Sequence, residues 1–306
     1  MSRVSASEVS RPPSTRSNSV AIESVVTPDA IRERVRRWRA GGDRVALVPT
    51  MGDLHEGHLA LVDAARQQAR RVVVSVFVNP LQFGPGEDYA TYPRSPARDT
   101  ARLAERGADL LFTPDVATLY PDGTDVVTRI RVPGLEDTLC GVDRPGHFSG
   151  VATVVAKLFN AAQPDVALFG EKDYQQLLVI RRFARDLGFP VDVVGVPTVR
   201  EADGLALSSR NAYLGTAERR AAPALYGALR GVAARLAAGE HDHGRLERDA
   251  TAEIAAAGFR PSYVAVRRAA DLAPPRADDP PHALRVLAAA HLGRARLIDN
   301  VPVPAE

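Results

Sequence analysis

The chain has one cysteine, Cys140, in 306 residues. An internal disulfide framework is excluded, and such usage fits a reducing compartment, so a cytoplasmic setting is expected. No run of 18 apolar residues occurs, so no transmembrane helix is expected. The N-terminus lacks the apolar central region of a secretory signal. Charge of one sign is also missing. Lys and Arg number 39 against 37 Asp and Glu, a net +2, so no strong field draws the chain to nucleic acid or to a membrane. Basic, aromatic-rich stretches are absent, which argues against an RNA-binding protein. No G-x-G-x-x-G follows the first strand and no G-x-x-x-x-G-K-[ST] occurs, so dinucleotide oxidoreductases and P-loop hydrolases lack their fingerprints. No serine sits in a G-x-S-x-G elbow. Internal repeats are not found. What remains is 45% hydrophobic and 25% charged, ordinary for a globular chain of one large or two modest domains.

The stretch that organises the rest runs from Val45 to His58. Val45 to Val48 reads as a fully buried strand, stopped by Pro49. Gly52 and Gly57 permit a tight turn and close approach of backbone to a ligand. From His58 a helical pattern places Leu59, Val62, Ala65 and Ala69 on one face. His55 and His58 therefore sit where a strand hands over to a helix N-terminus, the ligand side of an open parallel sheet and a place that favours anions. A cap or a solvated surface pair is the plainer alternative for the two histidines. Zinc is not expected, because three protein ligands are usual for a catalytic site and Cys140 is remote in sequence.

Residues 1–20, rich in Ser and Arg, read as a disordered tail. Thr27 and Pro28 open a helix that runs to about Ala40 and ends at Gly41-Gly42. A second strand, Val72 to Val78, leads into Asn79-Pro80-Leu81-Gln82. These two amides suit a polar ligand, although a turn-forming Asn before Pro explains Asn79 equally well. A helix over Ser95–Arg106, a strand over Asp109–Thr113 and loop with a short strand over 114–134 follow. Residues 141–148 form a glycine-punctuated loop, in which Arg144 reads as a phosphate contact or a solvated charge, and a helix runs from about Ser149 to Ala162. The fourth strand, Asp165 to Phe169, runs into Gly170-Glu171-Lys172-Asp173 and a helix to about Leu187. Lysine at a helix start opposes the dipole unless an anion is there, whereas pairing with Glu171 or Asp173 is the structural explanation. The fifth strand, Val191 to Val196, precedes Val199 and the polar loop Ser208-Ser209-Arg210, whose guanidinium fork suits phosphate. Beyond it, helices over Thr216–Ala238 and Gly244–Ala257 and strands over Tyr263–Arg267, Leu284–Leu292 and Arg296–Val301 read as a small α+β unit. The expected fold class is α/β, a Rossmann-like parallel sheet over residues 21–198 with an α+β C-terminal domain over 199–306.

Pro49-Thr50-Met51-Gly52 with His55-Glu56-Gly57-His58, Val78-Asn79-Pro80-Leu81-Gln82-Phe83, Arg144-Pro145-Gly146-His147-Phe148, Gly170-Glu171-Lys172-Asp173 and Leu207-Ser208-Ser209-Arg210-Asn211 resemble, in the same order, the signatures of the pantothenate synthetase (pantoate–β-alanine ligase) family. The resemblance runs from about residue 21 to 303. The H-x-G-H element alone is shared with the wider nucleotidyltransferase and class I tRNA-ligase superfamily. Two features depart from the family: the N-terminal tail, and Asp53 where a small residue is common.

The resemblance implies an ATP-dependent ligase with magnesium, taking pantoate and β-alanine through a pantoyl adenylate. It implies catalytic roles for His55, His58, Lys172 and Arg210, with His58 as proton donor. It implies ATP contacts from Met51, Gly52, Asp53, Leu54, Glu56, Gly57, Gly170, Glu171, Asp173, Val199, Leu207, Ser208 and Ser209. Pantoate and β-alanine would meet Gln82, Gln176, Asn79 and Arg144. Direct magnesium ligands are not defined, with Asp99 and Asp173 candidates for indirect contact only. A homodimer and a C-terminal lid are implied too. A plain nucleotidyltransferase without an amine acceptor, or an RNA-binding relative of the tRNA ligases, are the competing readings.

Overall fold

The computed structural model describes residues 22–305; the tail expected over 1–20 lies outside the described residues. Six strands form one parallel sheet: β1 (Glu23–Val25), β2 (Val45–Thr50), β3 (Arg71–Val76), β4 (Leu110–Phe112), β5 (Val166–Gly170) and β6 (Asp192–Val196). Their order is β1-β4-β3-β2-β5-β6. The helices are α1 (Pro28–Ala40), α2 (Glu56–Gln68), α3 (Pro96–Glu105), α4 (Val116–Leu119), α5 (Cys140–Asp143), α6 (His147–Ala162), α7 (Tyr174–Asp186), α8 (Thr216–Ala221), α9 (Ala224–Ala237) and α10 (His243–Ala256).

The alternation along β2 explains why it reads as an unbroken apolar run. Val45 and Leu47 enter the core shared with α1, α6 and α7, while Ala46 and Val48 enter the core shared with α2 and α3. Strand β5 divides in the same way, with Ala167 and Phe169 on one side and Val166 and Leu168 on the other. After β2 the chain builds outward through β3 and β4, then crosses back to β5 and β6. The order reverses between β2 and β5, so the loops leaving their carboxyl ends diverge and open a crevice. Those loops carry the two histidines and Lys172.

Strands β7 (Arg260–Arg268), β8 (Leu284–Leu292) and β9 (Ala295–Pro302) form an antiparallel sheet. One face packs Val266, Val286 and Ala288 under α9 and α10. The other sends Ala265, Leu287 and Ala289 into the core that holds α6 and α7.

Several local expectations need correction. The helix expected over Thr216–Ala238 is two, because Pro223 has no N–H for an interior turn. No short strand forms within 114–134; Asp115 instead caps α4, its Oδ1 accepting from Thr118 N at 2.7 Å. The glycine loop at 141–148 is largely helical, and α6 starts at His147. The second strand ends at Val76 and is followed by a 3₁₀ turn over Pro80–Gln82. Strand β1 is an addition to the expected set. Pro49 does not stop β2, which has parted from β5 after Leu47 and needs a ladder on one side only by then. Among the described residues no helix is long and apolar enough to cross a membrane.

Candidate active site

The turn after β2 is built by neighbours that leave its backbone little freedom. Gly52 and Asp53 lie at φ +85° and +51°, the left-handed region. A side chain at Gly52 would also meet Val76 Cγ1 at 3.0 Å and Asp99 Oδ2 at 3.2 Å. The buried carboxylate of Asp99 accepts from Asp53 N and Leu54 N, both at 2.9 Å, and Arg102 donates to Leu54 O at 2.6 Å. Asp99 thus spends both oxygens on the turn.

The turn delivers His55 as the N-cap of α2. Gly57 N donates to His55 Nδ1 at 3.1 Å, and His55 N donates to His58 Nδ1 at 3.3 Å. This is a capping box made from imidazoles. The rings lie 4.1 Å apart between centroids. Since each Nδ1 accepts a backbone N–H, the remaining proton of a neutral ring sits on Nε2. Burial, then the charge of Lys172, lowers His55 to about 4. Burial, then His55 and Lys172, lowers His58 to about 3. Both imidazoles are therefore neutral at pH 7. Gly57 is required sterically, because a Cβ there would lie 2.9 Å from His55 Cε1 and Nδ1.

Lys172 lies in a 3₁₀ turn between β5 and α7, its Nζ 3.8 Å from Asp173. Glu171 is engaged elsewhere, accepting from Arg285 Nη2 at 2.9 Å. On the opposite wall Gln82 Nε2 approaches Met51 Sδ at 3.0 Å. Asn79 is almost wholly buried behind it. Its Nδ2 donates to Gln82 Oε1 and to Gly150 O, both at 3.1 Å, and its Oδ1 accepts from Tyr120 Oη at 2.8 Å. Arg144 is likewise occupied: Nε and Nη2 donate to Glu87 at 2.7 and 2.6 Å, and Nη2 to Gln82 O at 3.2 Å. His147 Nδ1 also reaches Gln82 O, at 2.7 Å.

The loop after Val199 folds back as a hairpin, Leu207 N donating to Val199 O at 3.0 Å. Ser208 Oγ then caps the next turn by accepting from Arg210 N at 3.3 Å. Ser209 Oγ crosses to donate to Asp53 O at 3.3 Å, and Arg210 donates to Asp88 Oδ1 at 3.0 Å.

Met51, His55, Gly57, His58, Gln82, Gly170, Lys172, Asp173, Gln176, Val199, Leu207, Ser208, Ser209 and Arg210 line one cleft at the switch point. The space between these groups, open mouth included, is about 1240 Å³. Gly52, Asp53, Leu54, Asn79, Arg144 and Glu171 do not line it, Arg144 bordering instead a smaller cavity beside Lys172 and Gln176, and Glu56 pairs with Arg106 at 2.7 Å. Tyr92, Phe77, Pro197 and Thr198 also line the cleft, and sequence reasoning missed them. Pro197-Thr198 directly follows β6 as Met51 follows β2, but β6 is an only partly buried strand and carries a weaker signal. Asp173 is the one carboxylate among the described lining residues.

Residues 23–302 match the Pantoate-beta-alanine ligase family. A pantothenate synthetase of Methylococcus capsulatus is 55% identical over 285 residues, covering 93% of this chain and 96% of the relative. The crystal structure of pantothenate synthetase from Thermus thermophilus is 50% identical, with TM-score 0.85, covering 92% of this chain and 99% of that one. Pantoate-beta-alanine ligase from Francisella tularensis, complexed with beta-gamma ATP and beta-alanine, is 32% identical with TM-score 0.77, covering 92% and 98%. The chain belongs to the pantoate–β-alanine ligase family.

Proposed function

We propose that the side chains gathered in this cleft divide between them the work of joining pantoate to β-alanine at the expense of ATP. The activity is that of the family, a ligation that forms a C–N bond through a pantoyl adenylate and releases AMP and pyrophosphate. In the first step a pantoate carboxylate oxygen bonds to the α-phosphorus. The bond from that phosphorus to its bridging oxygen breaks, and the electron pair leaves with pyrophosphate. In the second step the neutral amine of β-alanine attacks the acyl carbon, the acyl–oxygen bond breaks, AMP leaves and the amine's surplus proton passes to solvent.

Such chemistry asks for positioning and charge stabilisation rather than a protein nucleophile. His55 and His58 each offer one Nε2–H where charge grows on the departing pyrophosphate. Being neutral, they serve as hydrogen-bond donors. Lys172 supplies a cation, and Arg210 supplies a second on exchanging Asp88 for phosphate. Gln82 and Gln176 hold the carboxylate and hydroxyls of pantoate, with Phe77 and Val151 against its carbon skeleton. Asn79 and Arg144 act by holding Gln82. Val199 and the backbone at Gly170 take adenine and ribose. Ser208 and Ser209 supply hydroxyls to the phosphates. Gly52, Asp53, Leu54, Glu56 and Glu171 shape the two loops rather than touch substrate.

The donor set fits magnesium carried in by the nucleotide. Asp173 faces the cleft and Asp99 is consumed by the backbone, and magnesium commonly takes one or two carboxylates and completes its shell with phosphate and water. Its chemistry there is to neutralise the triphosphate. Asp173 would hold it directly or through water.

Residues 199–306 act as a cover over 21–198, with Ser209 and Arg210 as the part that reaches across. Closure keeps water from the acyl adenylate. Hydrogen exchange at 207–211 that is unchanged by ATP and pantoate would count against this. Two copies pair as a homodimer in the cytoplasm, a reading supported by the family resemblance and by the single cysteine; sedimentation as a monomer would contradict the pairing.

The observation that carries the reading is the meeting of two neutral imidazoles, a lysine and the Ser208–Arg210 loop in one crevice. Turnover with each of pantoate, β-alanine and ATP-magnesium omitted in turn tests it. With ¹⁸O in the pantoate carboxylate, AMP acquires one labelled oxygen per turnover. Label in inorganic phosphate with ADP formed would overturn the adenylate, and pyrophosphate release with no AMP formed when pantoate and β-alanine are both present would favour a plain nucleotidyltransferase.

A further inference from the structure

The Lys172 turn has no cap of its own. No side chain of the turn or of the start of α7 bonds back to the exposed backbone there. Its carbonyls are claimed from a distant strand. Asn300 on β9, 3% exposed, donates both Nδ2 protons, one to Glu171 O and one to Lys172 O, each at 2.9 Å. Its Oδ1 accepts from Arg285 Nε at 2.6 Å. Arg285 in turn reaches Glu171 and lies 3.7 Å over the Tyr174 ring. Both donors of the amide are spent on this one turn.

The neighbouring residue does the same for the other loop. Asp299, 4% exposed, accepts from Arg200 Nη1 and Nη2 at 2.6 and 2.9 Å. Arg200 donates onward to Gly204 O at 3.1 Å and stacks 3.8 Å over Tyr226. It also bridges to Ala206, so it sits in the hairpin that carries Val199 on one arm and Leu207 to Arg210 on the other. Neither Asp299 nor Asn300 lines the cleft itself, and both border a smaller cavity that shares Lys172, Asp173 and Gln176 with it. Adjacent strand residues point to opposite sides, so one dipeptide can grip two loops at once.

We propose that Asp299 and Asn300 are positioning residues that hold the Lys172 turn and the Val199–Arg210 hairpin in fixed register across the cleft. The inference rests on the role given to Lys172 above. Buried polar pairs of this kind transmit small displacements, and a shift of about 1 Å at a catalytic group is worth on the order of 100-fold in rate.

The test is a double-mutant cycle on pyrophosphate release from pantoate and ATP-magnesium in the full chain. Asn300→Asp keeps the shape but removes the donor that faces two carbonyl oxygens. It lowers kcat roughly 10- to 100-fold while KM for pantoate stays close to that of the unmodified enzyme. In a Lys172→Ala background the same change gives no further loss, because the side chain it positions is gone. Asp299→Asn raises KM for ATP through the hairpin and leaves the effect of Lys172→Ala intact. Equal loss from Asn300→Asp in both backgrounds, or a fall in thermal midpoint with kcat unchanged, would overturn the inference and leave Lys172 its role. Full activity of Lys172→Ala would overturn that role, and the inference with it. If Asn300→Asp does not fold, Asn300→Ser, which retains one hydroxyl donor, enters the same cycle with the same criteria.

Discussion

Replacing Gly57 by alanine separates catalysis from folding at a single methyl group. The added Cβ would sit 2.9 Å from His55 Cε1 and Nδ1, against an ordinary contact of about 3.5–4.0 Å. The imidazole must retreat by roughly 0.6–1 Å to restore that distance. Retreat breaks the 3.1 Å bond from Gly57 N, which removes about 0.5–1.5 kcal/mol of stability. Alanine is the better helix residue by roughly 0.5–1 kcal/mol, so the two terms nearly cancel and the thermal midpoint moves little. The activity has no such compensation. His55 leaves its place, and His58, 4.1 Å away and bonded to the same turn, is disturbed with it. Pyrophosphate release should fall about 100-fold, the scale set by a 1 Å misplacement. Stopped-flow detection of pyrophosphate, beside a melting curve, measures both. A variant that melts like the parent and retains its rate would refute the reasoning about His55.

The remaining predictions concern charge and the turn. His55 and His58 are held below the free value of 6.5, so adenylation shows no inflection from them between about pH 6 and 8; a rate-linked histidine titrating near 6.5 by NMR would contradict this. Because folding lowers both, the stability they confer is complete above 6.5 and is lost as pH falls toward about 4 and then about 3, which a pH series of urea midpoints checks. Lys172→Ala should remove about 2–4 kcal/mol of transition-state stabilisation, read as kcat for pyrophosphate release; a change in KM alone would assign it to ground-state binding. Asp99→Asn leaves one acceptor for two backbone donors and should cost about 1–3 kcal/mol by chemical denaturation, with unchanged stability as the contrary result.

The strands around the switch point were legible because they are buried on both faces, so Val45–Val48 and Val166–Phe169 show as solid apolar blocks. The loops beyond them were legible because histidines and lysine at helix starts are out of place without a ligand. Strand β1 was not legible: three residues, two of them exposed, carry no pattern, and the strand exists by pairing with β4. Pro223 was a readable break that alanine-rich helical periodicity overrode. Asn79 and Arg144 mark a firmer limit. Nothing in their local sequence says that Tyr120 and Glu87 will occupy them, so an amide aimed at substrate and one aimed at a neighbour look alike. Asp299 and Asn300 stand out as adjacent polar residues in an apolar strand, but the two loops they hold lie about 100 or more positions away.

The claim on which the rest depends is that separate loops at the sheet's carboxyl edge converge on one triphosphate. A crystal structure with a non-hydrolysable ATP analogue and pantoate tests it most directly. The account predicts phosphate oxygens within hydrogen-bond distance of His55 Nε2, His58 Nε2 and Lys172 Nζ, with Arg210 released from Asp88 to meet them. Phosphates bound away from these groups, with Arg210 still on Asp88, would contradict it.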